Sequence, residues 1–336
     1  MNTSTEEKIL TGLFLCSDKS NEILASLKPD WDNKCNLPLV EKLLIINSSF
    51  LIPEVFPWKD ELSEEIDHEK FCRSFFIQPD LFLRLRPEKE KMVTQKLERA
   101  GIDFKMISET CLALPNASKI DEVVELDKEA VIQDHNSQET GKLITGALTS
   151  SPNDKQSVWD CCAGSGGKSV MIYDIDPRIE LTVSDIRESI IINLKKRFEK
   201  AGVKNYKSFV TDLTTSNFNP DSYRDQTSNF ELIIADVPCS GSGTWSRTPE
   251  QLYFFEQSGI GRYAALQKKI VSNAIPHLKP GGSFIYITCS VFKKENEEVV
   301  TFIKETFPLK LKQMELLKGY DKKADSMFVA LFEKEL

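Results

Sequence analysis

The feature that most constrains this chain is the regular alternation of short apolar stretches with helical patterns after about residue 140. The apolar stretches are candidate strands: Ser157–Cys162, Leu181–Ser184, Leu232–Ala235, Ser283–Thr288 and Met327–Phe332. After the second of them, a helical face is formed by residues four apart, Ile186, Ile190, Leu194 and Phe198, and Gly202 is a suitable end for that helix. Leu232–Ala235 is uniformly apolar, as is typical of a strand covered on both faces. Strands that alternate with helices predict an α/β fold built on a doubly wound, mostly parallel sheet.

Two smaller regions precede this alternation. Within residues 77–140, Leu81–Leu85 and Phe104–Leu114 are strand candidates on either side of a helical stretch that ends at Ala100–Gly101. This order predicts a small α/β module similar to an RNA-recognition motif. Residues 1–76 carry apolar residues at loosely helical intervals until prolines and acidic residues interrupt the pattern. We expect a helical N-terminal region that packs on the rest of the chain, in preference to an independent RNA-binding domain, and a larger domain over residues 141–336.

Composition and charge exclude several classes of protein. Apolar residues make up 40% and charged residues 28% of the chain, which is ordinary for a soluble globular protein. Apolar runs fall short of the roughly 18 residues of a membrane span, and Glu6 and Glu7 stand where a secretory signal needs basic residues. We therefore expect a cytoplasmic protein without a membrane partner. The eight cysteines are too sparse for a disulfide framework, and because no Cys-x-x-Cys spacing occurs, no metal site is expected.

The formal net charge is −8, and the acidity is concentrated in the first 80 residues. A protein that coats nucleic acid is normally basic over a whole face. An enzyme that visits one nucleic-acid site needs only a local basic patch, so the charge disfavours the first class and leaves the second open.

A glycine-rich turn follows the first strand of the larger domain, with the sequence Cys162-Ala163-Gly164-Ser165-Gly166-Gly167-Lys168. In a doubly wound sheet, ligands bind outside the carboxyl ends of the strands, and small residues there let the backbone approach them closely. Asp185 and Asp212 come at later strand ends, and an acid after the second strand is well placed to bind ribose hydroxyls. The Gly-x-Gly-Gly spacing differs from a dinucleotide fingerprint, and Cys162 stands where a P-loop needs glycine. The pattern favours a nucleoside-type cofactor over a turn without a ligand.

Two further motifs each place a cysteine after an apolar strand. The first is Asp236-Val237-Pro238-Cys239-Ser240-Gly241, and the second is Thr288-Cys289-Ser290. Neighbouring strands lie roughly 4.8 Å apart, so Asp236, Cys239 and Cys289 converge on one edge of a pocket if their two strands are neighbours. An isolated free cysteine is more often a small buried apolar residue. The proline, serine, threonine and glycine around these two favour a chemical role.

Together these segments resemble the Sun/Fmu (NSUN-type, RsmB-like) family of RNA cytosine-5 methyltransferases. The resemblance covers roughly residues 80–336 and includes the glycine-rich turn, both cysteine motifs, and the segment Gln133–Gln138 that leads into the larger domain. It implies a class I S-adenosylmethionine methyltransferase fold, a methyltransferase catalytic domain over 141–336, and S-adenosyl-L-methionine as cofactor. It also implies an RNA substrate, ribosomal RNA in preference to transfer RNA. The chain departs from the family pattern at Ser165, at Arg86 and at Ser326-Met327.

The resemblance further implies a role for each motif. The turn 162–168 and Asp185 bind S-adenosylmethionine, and Asp212 contacts its adenine side. Cys289 is the nucleophile that adds to C6 of cytosine, and Cys239 helps to release the product. Asp236 hydrogen-bonds the pyrimidine near N3 and also borders the cofactor. A base attacked in this way must be single-stranded or flipped out of its helix. We expect the protein to act as a monomer.

Alternative functions stay open at this stage. A non-catalytic RNA-binding or ribosome-assembly protein could retain the fold, although it has no need of Cys289. A transfer-RNA cytosine-5 methyltransferase would carry the same motifs. A DNA cytosine methyltransferase would use the Pro-Cys cysteine, Cys239, as its nucleophile.

Basic side chains outside the cysteine motifs carry weaker indications. Lys168 is expected to pack or to cap its helix in preference to meeting the substrate. The run Lys195-Lys196-Arg197 is typical of a solvated helix face. Arg84 and Arg86 are candidates for RNA contacts.

Overall fold

The computed structural model describes residues 4–47, 49–148, 155–215 and 230–336. The helices are α1 (Thr5–Cys16), α2 (Glu22–Leu27), α3 (Pro29–Asp32), α4 (Leu39–Ile45), α5 (His68–Ser74), α6 (Glu90–Arg99), α7 (His135–Glu139), α8 (Gly141–Ala147), α9 (Gly167–Ile175), α10 (Glu188–Ala201), α11 (Pro249–Phe254), α12 (Ser258–Ala274) and α13 (Glu297–Thr306). The strands are β1 (Leu81–Leu85), β2 (Lys105–Ser108), β3 (Cys111–Leu114), β4 (Ala130–Ile132), β5 (Ser157–Asp160), β6 (Glu180–Asp185), β7 (Lys207–Val210), β8 (Phe230–Asp236), β9 (Leu278–Thr288), β10 (Leu309–Leu317) and β11 (Met327–Lys334).

The larger sheet has seven strands in the order β10-β11-β9-β8-β5-β6-β7. The five strands from β9 to β7 are parallel to one another, whereas β11 runs antiparallel to both β9 and β10. Apolar side chains of α8, α9 and α10 pack in one buried cluster with the sheet, and those of α12 and α13 pack in another. The predicted α/β fold with a doubly wound, mostly parallel sheet is therefore confirmed. The strand order reverses between β5 and β8, which is where sheets of this kind bind ligands.

Helix α10 buries a face that only partly matches the predicted one, with Leu194 and Phe198 in common. Ile186 lies before the helix begins and is 55% exposed, so it does not contribute to the core. The buried residues are Ile191, Leu194, Phe198 and Ala201. A strict four-residue spacing drifts around a helix of 3.6 residues per turn, and the buried stripe follows mixed spacings of three and four instead. Gly202 does end the helix, in the left-handed conformation with φ 69°.

The small module contains a four-stranded antiparallel sheet in the order β2-β3-β1-β4. The prediction of a single strand over Phe104–Leu114 is wrong, because the chain turns at Glu109–Thr110 and forms a hairpin. The four residues of β3 are buried beside β1, whereas those of β2 are exposed at the sheet edge. Val93 and Leu97 of α6 join the apolar cluster that this sheet forms.

The N-terminal residues divide between two cores. Helices α1 to α4 contribute to a small cluster that includes Leu10, Phe14 and Leu24. The chain from 52 to 72 packs instead on the large sheet: Phe56 is fully buried, with ring centroids 6.0 Å from Trp245 and 5.6 Å from Phe292. The division of the chain at residues 76 and 140 stays a prediction. Across the described ranges, no helix has both the length and the apolar character that a membrane crossing requires.

Candidate active site

A cleft of about 750 Å³ lies beyond the carboxyl ends of the parallel strands. All the site residues predicted from the sequence line it except Gly166, namely Cys162, Ala163, Gly164, Ser165, Gly167, Lys168, Asp185, Asp212, Asp236, Cys239 and Cys289. Strands β8 and β9 are parallel neighbours, with Asp236 opposite Ile287. This register brings the two cysteine motifs together at one end of the cleft.

Gly166 does not line the cleft but affects its shape through its contact with α10. It precedes α9 in the left-handed conformation, with φ 82°. A Cβ at this position would lie 2.8 Å from Cε1 of Phe198 and 3.2 Å from Cγ of Leu194, both on α10. Glycine therefore lets the start of α9 pack directly on α10, which fixes the position of the glycine-rich turn.

Two carboxylates are held in fixed orientations along the cleft. Asp185 accepts hydrogen bonds from the backbone N–H of Gly164 (3.1 Å) and of Arg187 (2.9 Å). Asp212 accepts from the backbone N–H (2.8 Å) and the hydroxyl (2.6 Å) of Thr214. Preoriented acceptors beside a turn of small residues suit the ribose hydroxyls and amino groups of a nucleoside, so these residues fit S-adenosylmethionine.

Asp185→Ala is expected to weaken S-adenosylmethionine binding by roughly 1–3 kcal/mol, the scale of a lost hydrogen bond to a charged group. Calorimetric titration of the folded variant measures this change. Arg187→Ala is the matched control, because it removes the 3.2 Å ion pair to Asp185 and leaves the carboxylate in place. Unchanged cofactor affinity in Asp185→Ala would remove Asp185 from the binding site.

Lys168 reaches the end of the cleft that holds the two cysteine motifs. Its Nζ donates to Oδ2 of Asp236 (2.9 Å) and to Oγ of Ser137 (3.0 Å). The Lys168 side chain is 8% exposed, and that of Asp236 is 30% exposed. The ion pair places the ammonium beside Asp236, and the expectation that Lys168 does not meet the substrate stays a prediction.

The two predicted catalytic cysteines are in direct contact. Their Sγ atoms lie 3.2 Å apart, and both thiols are free. The contact with the Cys289 thiol, followed by burial, raises the pKa of Cys239 well above its ordinary value. Either thiol can donate its proton to the other across this contact.

Backbone contacts hold the two cysteine loops together. The N–H of Gly243 donates to the carbonyl of Cys289 (2.9 Å), and the N–H of Ser326 donates to the carbonyl of Gly243 (2.9 Å). A Cβ on Gly243 would lie 2.0 Å from the Ser326 carbonyl oxygen, so the approach requires glycine. The carboxylate of Glu295 accepts from the N–H of Ser240 (2.7 Å), and burial raises its pKa.

Asp160 ends β5 just before the glycine-rich turn and is fully buried. Burial raises its pKa from 3.8 to about 7, and a 2.5 Å hydrogen bond from Ser169 opposes that shift. Because the pKa is higher in the folded state than in the unfolded state, the folded state holds the proton more tightly. The contribution of Asp160 to stability therefore falls as the pH rises from about 4 to about 7.

Asp160→Asn cannot ionise, so its stability is expected to rise relative to the wild type between pH 4 and pH 7. The relative gain should be on the order of 2–4 kcal/mol, as expected for a pKa shift of this size. Denaturant unfolding at the two pH values measures it. Asp103→Asn, at an exposed position, is the control. If the stability of Asp160→Asn and of the wild type depends on pH in the same way, the raised pKa of Asp160 is contradicted.

The structure corrects the prediction that Arg84 and Arg86 contact RNA. Both side chains are buried and share the carboxylate of Asp174, with closest N–O distances of 2.6 Å each. Their polar groups face the interior, so they stabilise the packing of the module on α9.

The basic run on α10 is only partly a solvated face. Lys195 and Lys196 are exposed, as predicted. Arg197 turns towards the cleft, where it donates to Oδ1 of Asp127 (2.6 Å) and to Oγ of Ser165 (3.1 Å).

Several polar residues of the cleft were not identified from the sequence. Gln133, Asp134, Ser137 and Asp325 line it, and the guanidinium of Arg247 joins Asp134 (2.8 Å) to Asp325 (2.7 Å). A usable signal exists for the first three, since they belong to the polar segment 133–138, which enters α7. Asp325 carries no local pattern, because its partners are distant in sequence.

The chain matches the family model described as 16S rRNA methyltransferase RsmB/F over residues 147–332. It is 32% identical over 180 residues to ribosomal RNA small subunit methyltransferase B of Cronobacter sakazakii, covering 52% of this chain and 38% of that protein. It is 27% identical over 258 residues to the probable ribosomal RNA small subunit methyltransferase B of Bacillus subtilis, covering 74% and 54%. The chain thus spans about half the length, or less, of these curated relatives.

Two solved structures from Pyrococcus horikoshii share the fold. A methyltransferase homolog protein superposes with a TM-score of 0.66 at 20% identity, over 88% of this chain and 98% of that one. The structure of NSun6 with SFG superposes with a TM-score of 0.68 at 14% identity, over 84% and 97%.

Proposed function

This chain belongs to the family described as 16S rRNA methyltransferase RsmB/F, and on that premise we propose that it methylates C5 of a cytosine in RNA through a covalent bond to Cys289. The family predicted from the motifs is confirmed, as are the class I methyltransferase fold and S-adenosylmethionine as the cofactor. When bound, S-adenosylmethionine supplies a methyl group on a positively charged sulfur.

The contact between the two thiols carries this proposal. C5 of cytosine is a weak nucleophile, and addition of a thiolate to C6 gives it the electron density to accept a methyl group. Covalent catalysis of this kind divides one difficult step into two easier ones. A second thiol 3.2 Å from the first is hard to explain by packing alone, because both cysteines line an open cleft.

The residues of the cleft divide the remaining work. The Cys289 thiolate forms the S–C6 bond, and the electron pair of the C5–C6 double bond moves to C5, which accepts the methyl group. A base then removes the C5 proton, the electron pair restores the double bond, and the S–C6 bond breaks. Cys239, whose Sγ lies 3.2 Å from that of Cys289, donates its proton to the departing sulfur. Asp236 borders the same end of the cleft, where a proton shared between its carboxyl group and N3 stabilises the negative charge that builds on the ring.

We propose ribosomal RNA of the small subunit as the substrate, because the relatives carry that activity in their names. The target cytosine must be unpaired or flipped out to reach the cleft. A cytoplasmic location and action as a monomer belong to the same proposal. Transfer RNA is the second substrate class, and a non-catalytic RNA-binding role is the alternative that the test must exclude.

Bisulfite sequencing of total RNA tests both the reaction and the substrate. A strain that lacks this gene is expected to lose 5-methylcytosine at one position of small-subunit ribosomal RNA. Restoring the gene should recover the signal, and restoring Cys289→Ala should not. Loss of a 5-methylcytosine in transfer RNA would make transfer RNA the substrate. An unchanged set of 5-methylcytosines would favour the non-catalytic role.

A further inference from the structure

A continuous row of hydrogen bonds links the small module to the end of the cleft that holds Asp236 and the two cysteines. Arg84 Nε, on β1, donates to Oε1 of Gln133 (2.7 Å). Nε2 of Gln133 donates to Oγ of Ser137 (3.2 Å). The same oxygen accepts from Nζ of Lys168 (3.0 Å), and Lys168 donates to Oδ2 of Asp236 (2.9 Å).

The two cations determine the direction of every bond in this row, because a guanidinium and an ammonium can only donate. A guanidinium can only donate, so the Gln133 atom that faces Arg84 must be the carbonyl oxygen, and the amide nitrogen must face Ser137. A hydroxyl oxygen has two acceptor positions. Gln133 and Lys168 occupy both of them, so Ser137 acts towards Lys168 as a fixed acceptor.

Burial of the row restricts the positions that the Lys168 ammonium can take. Arg84, Gln133 and Lys168 are all less than 9% exposed, so water competes weakly for their polar atoms. Lys168 has a flexible four-carbon side chain, and two acceptors on different elements, Ser137 on α7 and Asp236 at the end of β8, hold its ammonium in place. Loss of Ser137 leaves only the carboxylate that the ammonium is meant to support.

We propose that Ser137 is a positioning residue, which fixes the Lys168 ammonium on Asp236 and thereby couples the packing of the small module to the reaction. This inference rests on the proposed function, because it assigns Asp236 to the pyrimidine. Ser137 acts through Lys168 and is not required to touch the substrate.

Ser137→Ala, Ser137→Thr and Thr145→Val test the proposal in the full chain. Ser137→Thr keeps the hydroxyl. Thr145→Val is the matched control, since that hydroxyl donates to the carbonyl of Gly141 in its own helix (2.9 Å). We expect Ser137→Ala to lower kcat by about tenfold to a hundredfold, the order of loss when a reacting group is slightly misplaced. Its affinity for S-adenosylmethionine should stay unchanged, and the other two variants should behave as wild type.

A second measurement does not depend on methyl transfer. Brief labelling with an amine-reactive reagent, followed by mass spectrometry, reports the accessibility of Lys168, with the exposed Lys196 as the internal reference. Lys168 should react several times faster in Ser137→Ala than in wild type, Ser137→Thr or Thr145→Val. If Lys168 is labelled faster in Ser137→Ala but the wild-type protein methylates no RNA, the positioning role of Ser137 stands and the proposed function is rejected. Wild-type labelling and wild-type kcat in Ser137→Ala, or an equal loss in Thr145→Val, would overturn the positioning role.

Discussion

Cys239→Ala is expected to accumulate a covalent protein–RNA adduct, whereas Cys289→Ala is expected to form no adduct and to lose all methyl transfer. If Cys289 attacks C6, its removal prevents the first bond from forming. If Cys239 donates to the departing sulfur, its removal permits attack and methylation but slows release. The adduct survives denaturing electrophoresis and appears as a shifted protein band, which makes the two outcomes directly comparable on one gel.

Three further variants sharpen this comparison. Cys289→Ser should be almost as inactive as Cys289→Ala, because a hydroxyl is barely ionised near neutral pH, whereas a thiol with a pKa around 8.5 supplies usable thiolate. Cys16→Ala, at an exposed position, should keep full activity. The double variant Cys239→Ala/Cys289→Ala should lose the adduct again. An adduct in Cys289→Ala that is absent in Cys239→Ala would make Cys239 the nucleophile. If no variant forms an adduct, the two cysteines have only a packing role.

The part of this site that could be predicted from the sequence is the part that local patterns encode. Buried strands are short apolar runs, and their ends carry the glycine-rich turn, Asp185, Asp236 and the two cysteines. The contact between Cys239 and Cys289 follows once β8 and β9 are placed as neighbours, since parallel strands end on the same side of the sheet. The roles of these residues stay proposals, because adjacency alone does not distinguish a nucleophile from a proton donor.

The part that could not be predicted depends on partners far apart in the chain. The sequence makes Arg84 a candidate for an RNA contact, and its pairing with Asp174, 90 residues later, reverses that expectation. Ser137 gave no sign of its contact with Lys168, which lies 31 residues further on. The sequence does not predict the hairpin of β2 and β3, because its two-residue turn Glu109–Thr110 lacks the glycine or asparagine that usually marks such turns.

Asp174→Ala is expected to lower the free energy of unfolding by about 3–5 kcal/mol, the range found when one partner of a buried ion pair is removed. The Asp174 carboxylate accepts from Nη1 of Arg84 and from Nε and Nη2 of Arg86, and the three side chains are at most 10% exposed. Its loss leaves two buried cations without a carboxylate, and Nη2 of Arg84 already lacks a partner among the described residues. Denaturant unfolding of wild type and variant measures the difference.

A neighbouring aspartate provides the control. Asp176, two residues further on, pairs at 2.8 Å with Arg178, whose side chain is 52% exposed, so Asp176→Ala should cost at most about 1 kcal/mol. Equal losses of unfolding free energy in the two variants would show that burial does not strengthen the ion pairs of Asp174.

Because Arg84 also orients Gln133, Asp174→Ala should in addition lower methyl transfer in the protein that remains folded, whereas Asp176→Ala should not. Retained activity in folded Asp174→Ala would separate the stability of the module from the geometry of the cleft.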